Sequence, residues 1–458
     1  QGVRPSPGTA IYRIAGIAHR EAVGGHGFCI ALPLLEQGLR LCRYANSSDR
    51  LSPIIERSDA GLPLTKAVRR PPTAALTVVS TKGRTRMAVS FLDLNKQYQT
   101  MKAEIDAAIA TVIADGTFIK GPHADRFEAE FAAYQRVGYC IGCANGTDAI
   151  EMALEALDLP KGSEVIVPAN TFISTSEAVT RSGLKVVFCD CDPEDYTISI
   201  EGLQDKITAK TSAVIPVHLY GQPCDMEAVM QVAGQHGLKV IEDSAQAHGA
   251  EFRGQRVGTF GDFGTFSFYP GKNLGAYGDA GVMVTGDAAL AEKVRKLGNH
   301  GRISKYDHEF EGRNSRLDGM QAAILSVKLR RLDDWISQRI AVAEAYYDTL
   351  SGVGDLVLPA RRQGTRHVYH LFVVRTSRRD ALRSHLSERG IESGVHYPKA
   401  LPKLQAYAAY GQAAEPFFAN RADAQVLSLP IGEHMSLDDV QEVAAACIEF
   451  FRGAGNPF

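Results

Sequence analysis

Residues 138–169 read GYCIGCANGTDAIEMALEALDLPKGSEVIVPA, and this stretch decides the fold. Its first apolar run, YCIGCA, is typical of a buried strand, and EVIVPA at residues 164–169 is typical of a second one. Between them, Asn145 begins a helical pattern that continues to Leu157. Because unbroken Val and Ile runs belong to strands that are covered on both faces, the stretch predicts a strand–helix–strand unit of a parallel sheet.

The same alternation continues to about residue 287. Further strands are predicted in LKVVFCDCD, SAVIPVHLYG, LKVIEDSAQ, DFGTFSF and GVMVTGD. From Asp318 a helical stretch runs to Leu350, and a strand (VYHLFVVR) and two helices follow it. The pattern predicts an α/β fold, in which a large domain (residues 87–335) has a mostly parallel sheet between helices. A smaller C-terminal α/β domain (residues 336–458) completes it.

Residues 1–86 differ in composition from the rest of the chain. They hold 13 Lys and Arg against 5 Asp and Glu, with scattered Pro and Gly and one short apolar patch, FCIALPLL. The patch contains Pro33 and lies too far in for a signal peptide, whereas the Arg-rich, acid-poor composition resembles a transit peptide. The interpretation we favour is an upstream extension before an initiating Met87, with residues 1–86 mostly disordered.

The bulk composition excludes several classes of protein. The chain has 458 residues, 45% hydrophobic and 22% charged, with a formal net charge of −2. A nucleic-acid-binding protein would carry a basic excess, and a membrane-spanning helix would need about 20 apolar residues, so we expect neither. The eight cysteines are scattered, which indicates a reducing compartment, the cytoplasm. Cys140 and Cys143 lack a second Cys or His pair, so we expect buried apolar residues and no metal site.

The loop SFYPGKNLGAYGDAG, residues 267–281, contains one lysine among glycines and aromatics. A phosphate-binding P-loop would need Gly in place of Phe266 and Ser or Thr in place of Asn273, so that interpretation fails. A solvated surface charge is the ordinary alternative. In a partly apolar loop, however, the amine of Lys272 would be desolvated and its pKa lowered, which suits a nucleophile that forms Schiff bases.

Three other features follow predicted strands, where parallel sheets bind their ligands. The turn at residues 145–148 opens a helix whose free amides would bind phosphate, or Asn145 is only a helix cap. Asp243 ends a strand and would either cap the next turn or hold a protonated ring nitrogen, with Gln246 near a neighbouring hydroxyl. Phe172 would stack on a flat ring or belong to the core.

Together these features predict a cofactor. A phosphate cradle, a stacking aromatic, an anion for a pyridine nitrogen and an amine for an aldehyde are the four needs of pyridoxal 5'-phosphate. The anion would keep the ring cationic, and the lysine would hold the aldehyde and then move protons. No single feature decides the matter, but the combination predicts a pyridoxal-phosphate enzyme.

The sequence resembles the nucleotide-sugar aminotransferases of the DegT/DnrJ type, which are pyridoxal-phosphate enzymes of fold type I. The resemblance covers roughly residues 91–450, through the motifs FLDLNKQY, ANGTDA, VPANTFIST, VIEDSAQAHGA, SFYPGKNLGAYGDAG, NSRLDGMQAAIL and GVHYP. It implies transfer of an amino group from an amino acid, glutamate, to a nucleotide-linked keto sugar. It also implies a place in deoxyamino-sugar biosynthesis, for a polysaccharide or O-antigen.

The resemblance also implies the residues that meet the cofactor. Lys272 forms the imine, Asp243 meets the pyridine nitrogen and Gln246 approaches the ring hydroxyl. Phe172 stacks on the ring. Three residues are implied to hold the phosphate within one subunit, namely Gly146, Thr147 and Ser267.

Further residues are implied at the substrate and at a subunit boundary. Asn314 matches an asparagine that reaches the phosphate from the partner subunit, so the active sites would be shared within a homodimer. His396 and Tyr397 match a segment near the sugar.

Two stretches favour the branch of the family that acts on 3-keto sugars. Both YPGKNLGAYGDAG, around the lysine, and KYDHEFEGRNSRLD resemble that branch, so we expect amino transfer to C3 of a nucleotide-linked keto-6-deoxyhexose. Tyr277, where the branch often has a smaller apolar residue, leaves details of the substrate open.

Several alternatives stay open. One is a C4 aminotransferase of the same family, which differs only in how the sugar is seated, and another is a regulator, since some DegT-type relatives are proposed regulators.

Two other classes of enzyme are disfavoured. A sugar dehydratase of this family would have His in place of Lys272, and a nicotinamide dehydrogenase would need Gly-x-Gly-x-x-Gly after a strand, which the sequence lacks. We expect His218 and His248, which follow strands near the ligand edge, to be satisfied packing residues.

Overall fold

The computed structural model describes residues 89–453. The expectations about residues 1–86 and Met87 therefore lie outside the described part of the chain. Within residues 89–453, no helix combines the length and the apolar character that crossing a membrane requires.

Seven strands of the described chain form a central sheet. All strands of the described chain, including those outside the central sheet, are, in chain order, β1 (Tyr139–Cys143), β2 (Glu164–Pro168), β3 (Lys185–Cys189), β4 (Thr211–Val214), β5 (Lys239–Asp243), β6 (Glu251–Phe252), β7 (Gln255–Arg256), β8 (Phe263–Ser267), β9 (Gly281–Thr285), β10 (Arg302–Ser304), β11 (Asp307–His308), β12 (Thr365–Arg366), β13 (Phe372–Arg375) and β14 (Val426–Leu429). The central sheet has the order β1-β9-β8-β5-β4-β2-β3. Strand β9 is antiparallel to β1 and β8, and the other neighbouring pairs are parallel. The predicted mostly parallel α/β sheet is confirmed.

Successive residues of the central strands enter two separate layers of the core. In β2, Val165 and Val167 pack in one layer and Ile166 packs in the other, and β5 separates Val240 from Ile241 in the same way. All five residues of β2 are buried. This burial on both faces explains why the sequence shows an unbroken apolar run there instead of an alternating one.

Helices cover both faces of this sheet and form most of the C-terminal part. They are α1 (Leu94–Asp115), α2 (Pro122–Gln135), α3 (Gly146–Ala156), α4 (Ile173–Arg181), α5 (Ile200–Lys206), α6 (Met226–His236), α7 (Ala288–Leu297), α8 (Gly319–Leu329), α9 (Leu332–Leu350), α10 (Arg379–Glu388), α11 (Ala419–Ala422) and α12 (Leu437–Gly453). At the start of α1, Asp93 accepts a hydrogen bond from the backbone N–H of Lys96 at 2.8 Å. At the start of α3, Asn145 accepts one from Asp148 at 2.9 Å. Side-chain caps of this kind stabilise a helix by about 0.5–2 kcal/mol.

The helical stretch predicted at residues 318–350 is two helices, α8 and α9, which corrects that prediction. Arg330 and Arg331 lie between them, and both donate to the carboxylate of Glu104 on α1, at 3.1 and 2.7 Å. No Gly or Pro marks the break in the sequence. The break coincides with a contact between distant parts of the chain, which local sequence does not encode.

A second, smaller sheet lies in the C-terminal part. Strands β13 and β14 pair antiparallel, and they pack with α9, α10 and α12 around Tyr346, Phe372 and Leu382. The chain also returns to its earlier part, because β12 pairs with β6 in a three-stranded sheet with β7. This pairing and the exposed hairpin β10–β11 were not predicted.

The carboxyl ends of the parallel strands share one edge of the central sheet. Asn145 follows β1, Thr171 follows β2, Asp243 ends β5 and Ser267 ends β8. Because these four strands run in the same direction, the polar residues after them face the same side of the molecule. The fold thereby assembles the features that the sequence analysis found far apart in the chain.

Candidate active site

Asp243 is buried at the end of β5, with 5% of its surface exposed. Its backbone N–H donates to Pro216 O at 2.9 Å, and its carbonyl accepts from the N–H of His218 at 3.0 Å. The carboxylate oxygen Oδ1 accepts a hydrogen bond from the N–H of Ala245 at 3.1 Å, and Oδ2 accepts one from the Thr175 hydroxyl at 2.8 Å. Donors on both oxygens hold the carboxylate in one orientation.

Lys272 lies in the loop after β8, with its side chain partly buried. Its backbone N–H donates to Tyr269 O at 2.8 Å and closes a turn. Burial lowers the pKa of the Lys272 amine from 10.5 to about 8, although the negative charge of Asp243 acts in the opposite direction. The two side chains are therefore close enough to interact. The amine loses its proton far more readily than an exposed lysine does.

Gly146, the first residue of α3, packs against Ser267. A Cβ atom on Gly146 would lie 2.6 Å from the Cβ of Ser267 and 3.2 Å from its Oγ. Gly281 is equally constrained, because a Cβ there would lie 2.5 Å from the carbonyl oxygen of Asn145 and 2.9 Å from the nitrogen of Gly146. Only glycine fits at both positions. The first amides of α3 thus lie beside the Ser267 hydroxyl, and helix N-termini of this kind attract anions.

Thr147 follows Gly146 in the first turn of α3. Its hydroxyl donates to the Oγ of Ser174 at 2.8 Å, which joins the N-terminal ends of α3 and α4. The hydroxyl is therefore engaged within the protein. What Thr147 offers to an anion is its backbone N–H, which belongs to the unpaired donors of the first helical turn.

The side-chain amide of Gln246 is engaged at both ends. Its Oε1 accepts a hydrogen bond from the N–H of Tyr220 at 2.7 Å, and its Nε2 donates to the phenol oxygen of Tyr397 at 3.0 Å. Because a backbone N–H can only donate, the amide has one orientation, in which Nε2 keeps a second N–H for another acceptor. The Tyr220 hydroxyl donates to the carbonyl of His396. Two bonds thus fasten the GVHYP segment to this part of the site.

Phe172 and His396 both lie beside Tyr397. The Phe172 ring is 53% exposed, and its centroid is 5.7 Å from that of Tyr397. The His396 ring stacks on Phe91 at 5.8 Å. Burial lowers the pKa of His396 to about 4, and the positive charge of Lys272 acts in the same direction. The His396 imidazole is therefore neutral at pH 7.

Asn314 is placed differently from the other predicted site residues. Its backbone pairs with Asn299, next to the hairpin β10–β11, and its side chain is exposed. The neighbouring Ser315 hydroxyl accepts a hydrogen bond from the N–H of Ala144, just before α3. The Asn314 side chain itself makes no hydrogen bond within the described chain. Within the described chain it forms no hydrogen bond with another predicted site residue.

The two histidines expected to pack behave differently. The Nδ1 of His218 accepts a backbone N–H at 3.0 Å, so its Nε2–H donates to the buried Glu242 at 3.0 Å, and the ring is satisfied as expected. His248 is fully buried beside Phe266 and Phe268, and no residue in the range 89–453 bonds either ring nitrogen. Burial lowers the pKa of His248 to about 3, so the ring stays neutral. His248 is thus a packing residue, as expected, although neither ring nitrogen has a hydrogen bond of good geometry within the described chain.

Tyr277 packs between α1 and α8. Its ring centroid is 6.3 Å from that of Tyr98, and the Nζ of Lys328 lies 4.4 Å above the ring. The same Nζ donates to Gly275 O at 2.6 Å. Burial lowers the pKa of Lys328 to about 8 as well. The extra size of Tyr277 therefore serves a contact between two helices.

Cys140 and Cys143 are both free and buried, as the sequence predicted. Burial raises the pKa of each thiol above its usual value, so neither is a reactive thiolate. Within residues 89–453, no group of His, Cys, Asp and Glu side chains is arranged to hold a metal ion.

Thr175 and Tyr220 are site residues that the sequence analysis missed. Tyr220 follows β4 at the ligand edge of the sheet, so the rule that ligands lie beyond the carboxyl ends of strands could have identified it. Thr175 gives no such signal. Its contact with Asp243 depends on how α4 packs against β5.

Three comparisons place this geometry among known proteins. The model of the DegT/DnrJ/EryC1/StrS aminotransferase family matches residues 99–448. A dTDP-3-amino-3,4,6-trideoxy-alpha-D-glucose transaminase from Streptomyces venezuelae is 46% identical over 365 residues, which cover 79% of this chain and 96% of the relative. A pleiotropic regulatory protein from Geobacillus stearothermophilus is 44% identical over 369 residues, covering 80% of this chain and 99% of the relative.

Solved structures give the same result. The crystal structure of S. venezuelae DesV in complex with a ketimine intermediate matches with a TM-score of 0.77 at 45% identity. The match covers 79% of this chain and 98% of that chain. The similarity therefore includes the sheet edge, the lysine loop and the C-terminal part together.

Proposed function

Because the chain belongs to the DegT/DnrJ/EryC1/StrS aminotransferase family, we propose that it transfers an amino group from glutamate to C3 of a nucleotide-linked keto-deoxysugar. The expected family, fold type, enzyme class and cofactor, pyridoxal phosphate, are confirmed. The C3 position is supported by the S. venezuelae relative, whose name specifies a 3-amino sugar. The two stretches around Lys272 and Asn314 support it as well.

The observation that carries this proposal is the state of Lys272. Burial lowers the pKa of its amine to about 8, and the amine interacts with the carboxylate of Asp243 at the ligand edge of the sheet. A lysine that only solubilised a loop would keep its ordinary pKa. An amine poised near neutral pH can both attack a carbonyl carbon and carry a proton.

The donors and acceptors of the site suit pyridoxal phosphate. The Asp243 carboxylate would accept the N–H of the ring, and the spare N–H of Gln246 would reach the oxygen of the ring hydroxyl. The amides of Gly146 and Thr147, which lie beside the Ser267 hydroxyl, would bind the phosphate together with that hydroxyl. When bound, the cofactor supplies an electron sink for the charge that develops at the reacting carbon.

The protein's own side chains move protons and orient the bound molecules. The Nζ of Lys272 takes the proton from Cα of the amino donor, and in the second half of the cycle it gives a proton to C3 of the sugar. Phe172 would cover one face of the ring. His396 and Tyr397 lie where the sugar would bind, and the neutral His396 adds no further positive charge beside Lys272.

The experiment that tests the proposal is a product assignment. The purified protein with pyridoxal phosphate and glutamate is incubated separately with nucleotide-linked 3-keto and 4-keto deoxysugars, and NMR locates the new amino group. We expect a 3-amino product with one 2-oxoglutarate formed per amino sugar, and no product from Lys272→Ala. A 4-amino product would overturn the C3 assignment and favour the C4 branch of the family.

A regulatory role without turnover is the second candidate. It is favoured by the 44% identity to the pleiotropic regulatory protein of Geobacillus stearothermophilus. The position of Lys272 at the ligand edge, where the charge of Asp243 acts on its amine, speaks for catalysis instead. A strain whose only copy carries Lys272→Ala distinguishes the two, since continued synthesis of the amino sugar in that strain would favour regulation.

We also propose a homodimer whose active sites are shared. The exposed Asn314 side chain supports this arrangement, as do the exposed Phe118 and Ile119, because Ile119 pairs with Asp318 in the same region. Mixing unfolded Lys272→Ala and Asn314→Ala chains and refolding them together tests it. If the partner subunit's Asn314 completes each site, mixed dimers regain one intact site and the mixture recovers about a quarter of wild-type activity. Recovery of none would favour a site within one subunit.

We also propose that the chain forms two domains. We place a large domain at residues 87–335 and a small one at 336–458, supported by the separate apolar cluster around Tyr346 and Phe372. The boundary falls within α9, and the β12–β6 pairing joins the two parts.

A cytoplasmic location is supported by the free thiols of the six cysteines in the described chain.

A further inference from the structure

The carboxylate of Asp243 is bound from the side of α4. The Oγ1 of Thr175 lies 2.8 Å from Oδ2, across a sequence separation of 68 residues. Thr175 is 1% exposed and Asp243 is 5% exposed, so water does not compete for this bond. The bond is charge-assisted, which makes it stronger than one between two neutral groups.

The hydroxyl protons of this cluster have one arrangement. An ionised carboxylate only accepts, so the single hydroxyl proton of Thr175 must point at Asp243. The Oγ1 of Thr171 lies 3.1 Å from that of Thr175, and both are buried. Thr171 therefore donates to Thr175. Hydrogen bonds in such a chain polarise one another, which strengthens the last bond to the carboxylate.

Other groups that interact with Asp243 do not orient it. Lys272 and Tyr397 are the ionisable groups of the described chain that interact electrostatically with the carboxylate. Neither donates a hydrogen bond to it within residues 89–453. The backbone N–H of Ala245 holds Oδ1, but it belongs to the same turn and moves with Asp243. Thr175 is the side chain that ties Asp243 to a different element of the fold.

We propose that Thr175 is a positioning residue of this aminotransferase, and that it orients the Asp243 carboxylate toward the ring nitrogen of the cofactor with Thr171 as its support. The inference rests on the proposed function and deepens it. Without the hydroxyl, Oδ2 loses its donor, and the carboxylate rotates more freely. Its hold on the ring N–H then weakens, and the ring withdraws electrons less well.

The test compares four variants of the full chain. Thr175→Val keeps the shape and removes the hydroxyl, and Thr175→Ser keeps the hydroxyl. Thr171→Val removes the supporting donor. Thr180→Val is the matched control, because the Thr180 hydroxyl lies on the same helix and donates to Glu177 O at 3.0 Å. Three quantities are measured: cofactor affinity by titration of the cofactor-free protein, the pH titration of the bound cofactor's visible absorbance, and the single-turnover rate with glutamate.

In Thr175→Val we expect cofactor affinity to fall by about tenfold and the single-turnover rate by about tenfold to one hundredfold, the range for a hydrogen bond to a charged group. The pH titration of the visible absorbance should move to higher pH. A cofactor ring that withdraws electrons less strongly makes the nitrogen that joins Lys272 to the cofactor more basic. Thr175→Ser should restore all three quantities to within about threefold. Thr171→Val should shift the titration in the same direction but less, and Thr180→Val should match wild type.

The outcomes separate this inference from the proposed function. A Thr175→Val protein with the wild-type titration and rate would overturn the positioning role alone. If Thr175→Val does not fold, Thr171→Val decides, and an unshifted titration in it would overturn the role. A wild-type protein that binds the cofactor normally but aminates neither keto sugar would overturn the proposed function and leave the role of Thr175 measurable. A wild-type protein that takes up no cofactor would overturn both.

Discussion

Gln246 donates from Nε2 to the phenol oxygen of Tyr397 at 3.0 Å, while its Oε1 accepts a hydrogen bond from the backbone N–H of Tyr220. The backbone donor fixes the orientation of the amide and hence which end would face the cofactor. The GVHYP segment, which would meet the sugar, is thus tied to a residue that would meet the cofactor. Gln246 therefore links the predicted cofactor position directly to the predicted sugar position.

Replacing Gln246 by Glu should weaken cofactor binding. One carboxylate oxygen can still accept from Tyr220, but the other cannot donate to the ring hydroxyl and brings a second negative charge near Asp243. We expect the dissociation constant of pyridoxal phosphate to rise by about tenfold or more, measured by absorbance titration. Tyr397→Phe is the matched control, since it leaves the Tyr220 bond intact. It should change cofactor affinity by less than about threefold, and equal effects of the two variants would contradict this reading.

Replacing Gly146 by Ala should abolish tight cofactor binding. The added methyl would lie 2.6 Å from the Cβ of Ser267, so Ser267 and the first amides of α3 would be pushed apart. Gly234→Ala is the control, because a Cβ on Gly234, in the exposed part of α6, meets no atom within 4 Å. The control should keep wild-type affinity and stabilise α6 by up to about 1 kcal/mol. Wild-type affinity in Gly146→Ala would show that the phosphate binds elsewhere.

The buried amine of Lys272 should lower the stability of the cofactor-free protein. Its pKa is about 8 in the folded chain and 10.5 ordinarily, so the unfolded chain binds more protons between these values. Unfolding free energy therefore rises with pH across that window, and the penalty is complete below pH 8. We expect Lys272→Met to raise the unfolding free energy by roughly 1–3 kcal/mol at pH 7, measured in urea. The gain should shrink as pH increases from 8 towards 10.5.

The surface variant Lys161→Met controls for the general effect of removing a lysine. Lys161 is exposed, so its replacement should change stability by less than about 0.5 kcal/mol at any pH. A Lys272→Met protein whose advantage over wild type is the same at pH 7 and pH 10 would contradict the lowered pKa.

Arg339 should be essential for the stability of the C-terminal part. Its buried guanidinium donates to the carbonyls of Tyr369, His370 and Ile431 at 3.2–3.3 Å, and to the carboxylate of Glu433 at 3.1 Å. Arg339→Met would leave the buried Glu433 without its cationic partner, and we expect a loss of about 3–5 kcal/mol in urea unfolding.

The double variant Arg339→Met/Glu433→Gln separates charge from packing. If the unpaired carboxylate causes most of the loss, the double variant should recover at least about 1 kcal/mol relative to Arg339→Met. No recovery would mean that the lost carbonyl contacts dominate.

The sequence predicted the ligand edge well because strand order was not needed for it. The residues after β1, β2, β5 and β8 share an edge whenever these strands are parallel, whatever their neighbours are. The Val/Ile runs were enough to establish that. The lysine and the aspartate could therefore be placed together before any coordinates were known.

Contacts between distant elements could not be predicted in this way. The bond from Thr175 to Asp243 depends on the packing of α4 on β5, and the break at Arg330 coincides with a contact to Glu104 of α1. Neither contact leaves a periodic pattern in the sequence. The β12–β6 pairing is similarly hidden, because each strand has only two residues. For His248, burial was predicted correctly but hydrogen bonding was not, since the partners of a buried ring depend on its final position.

The most direct test of the central claim is to reduce the cofactor-loaded protein with borohydride and map the labelled peptide. Burial lowers the pKa of both Lys272 and Lys328 to about 8, but the ammonium of Lys328 is engaged by Gly275 O and the Tyr277 ring. We expect the label on Lys272 alone. A label on Lys328, or no labelled lysine at all, would contradict the assignment of Lys272 as the residue that bonds the cofactor.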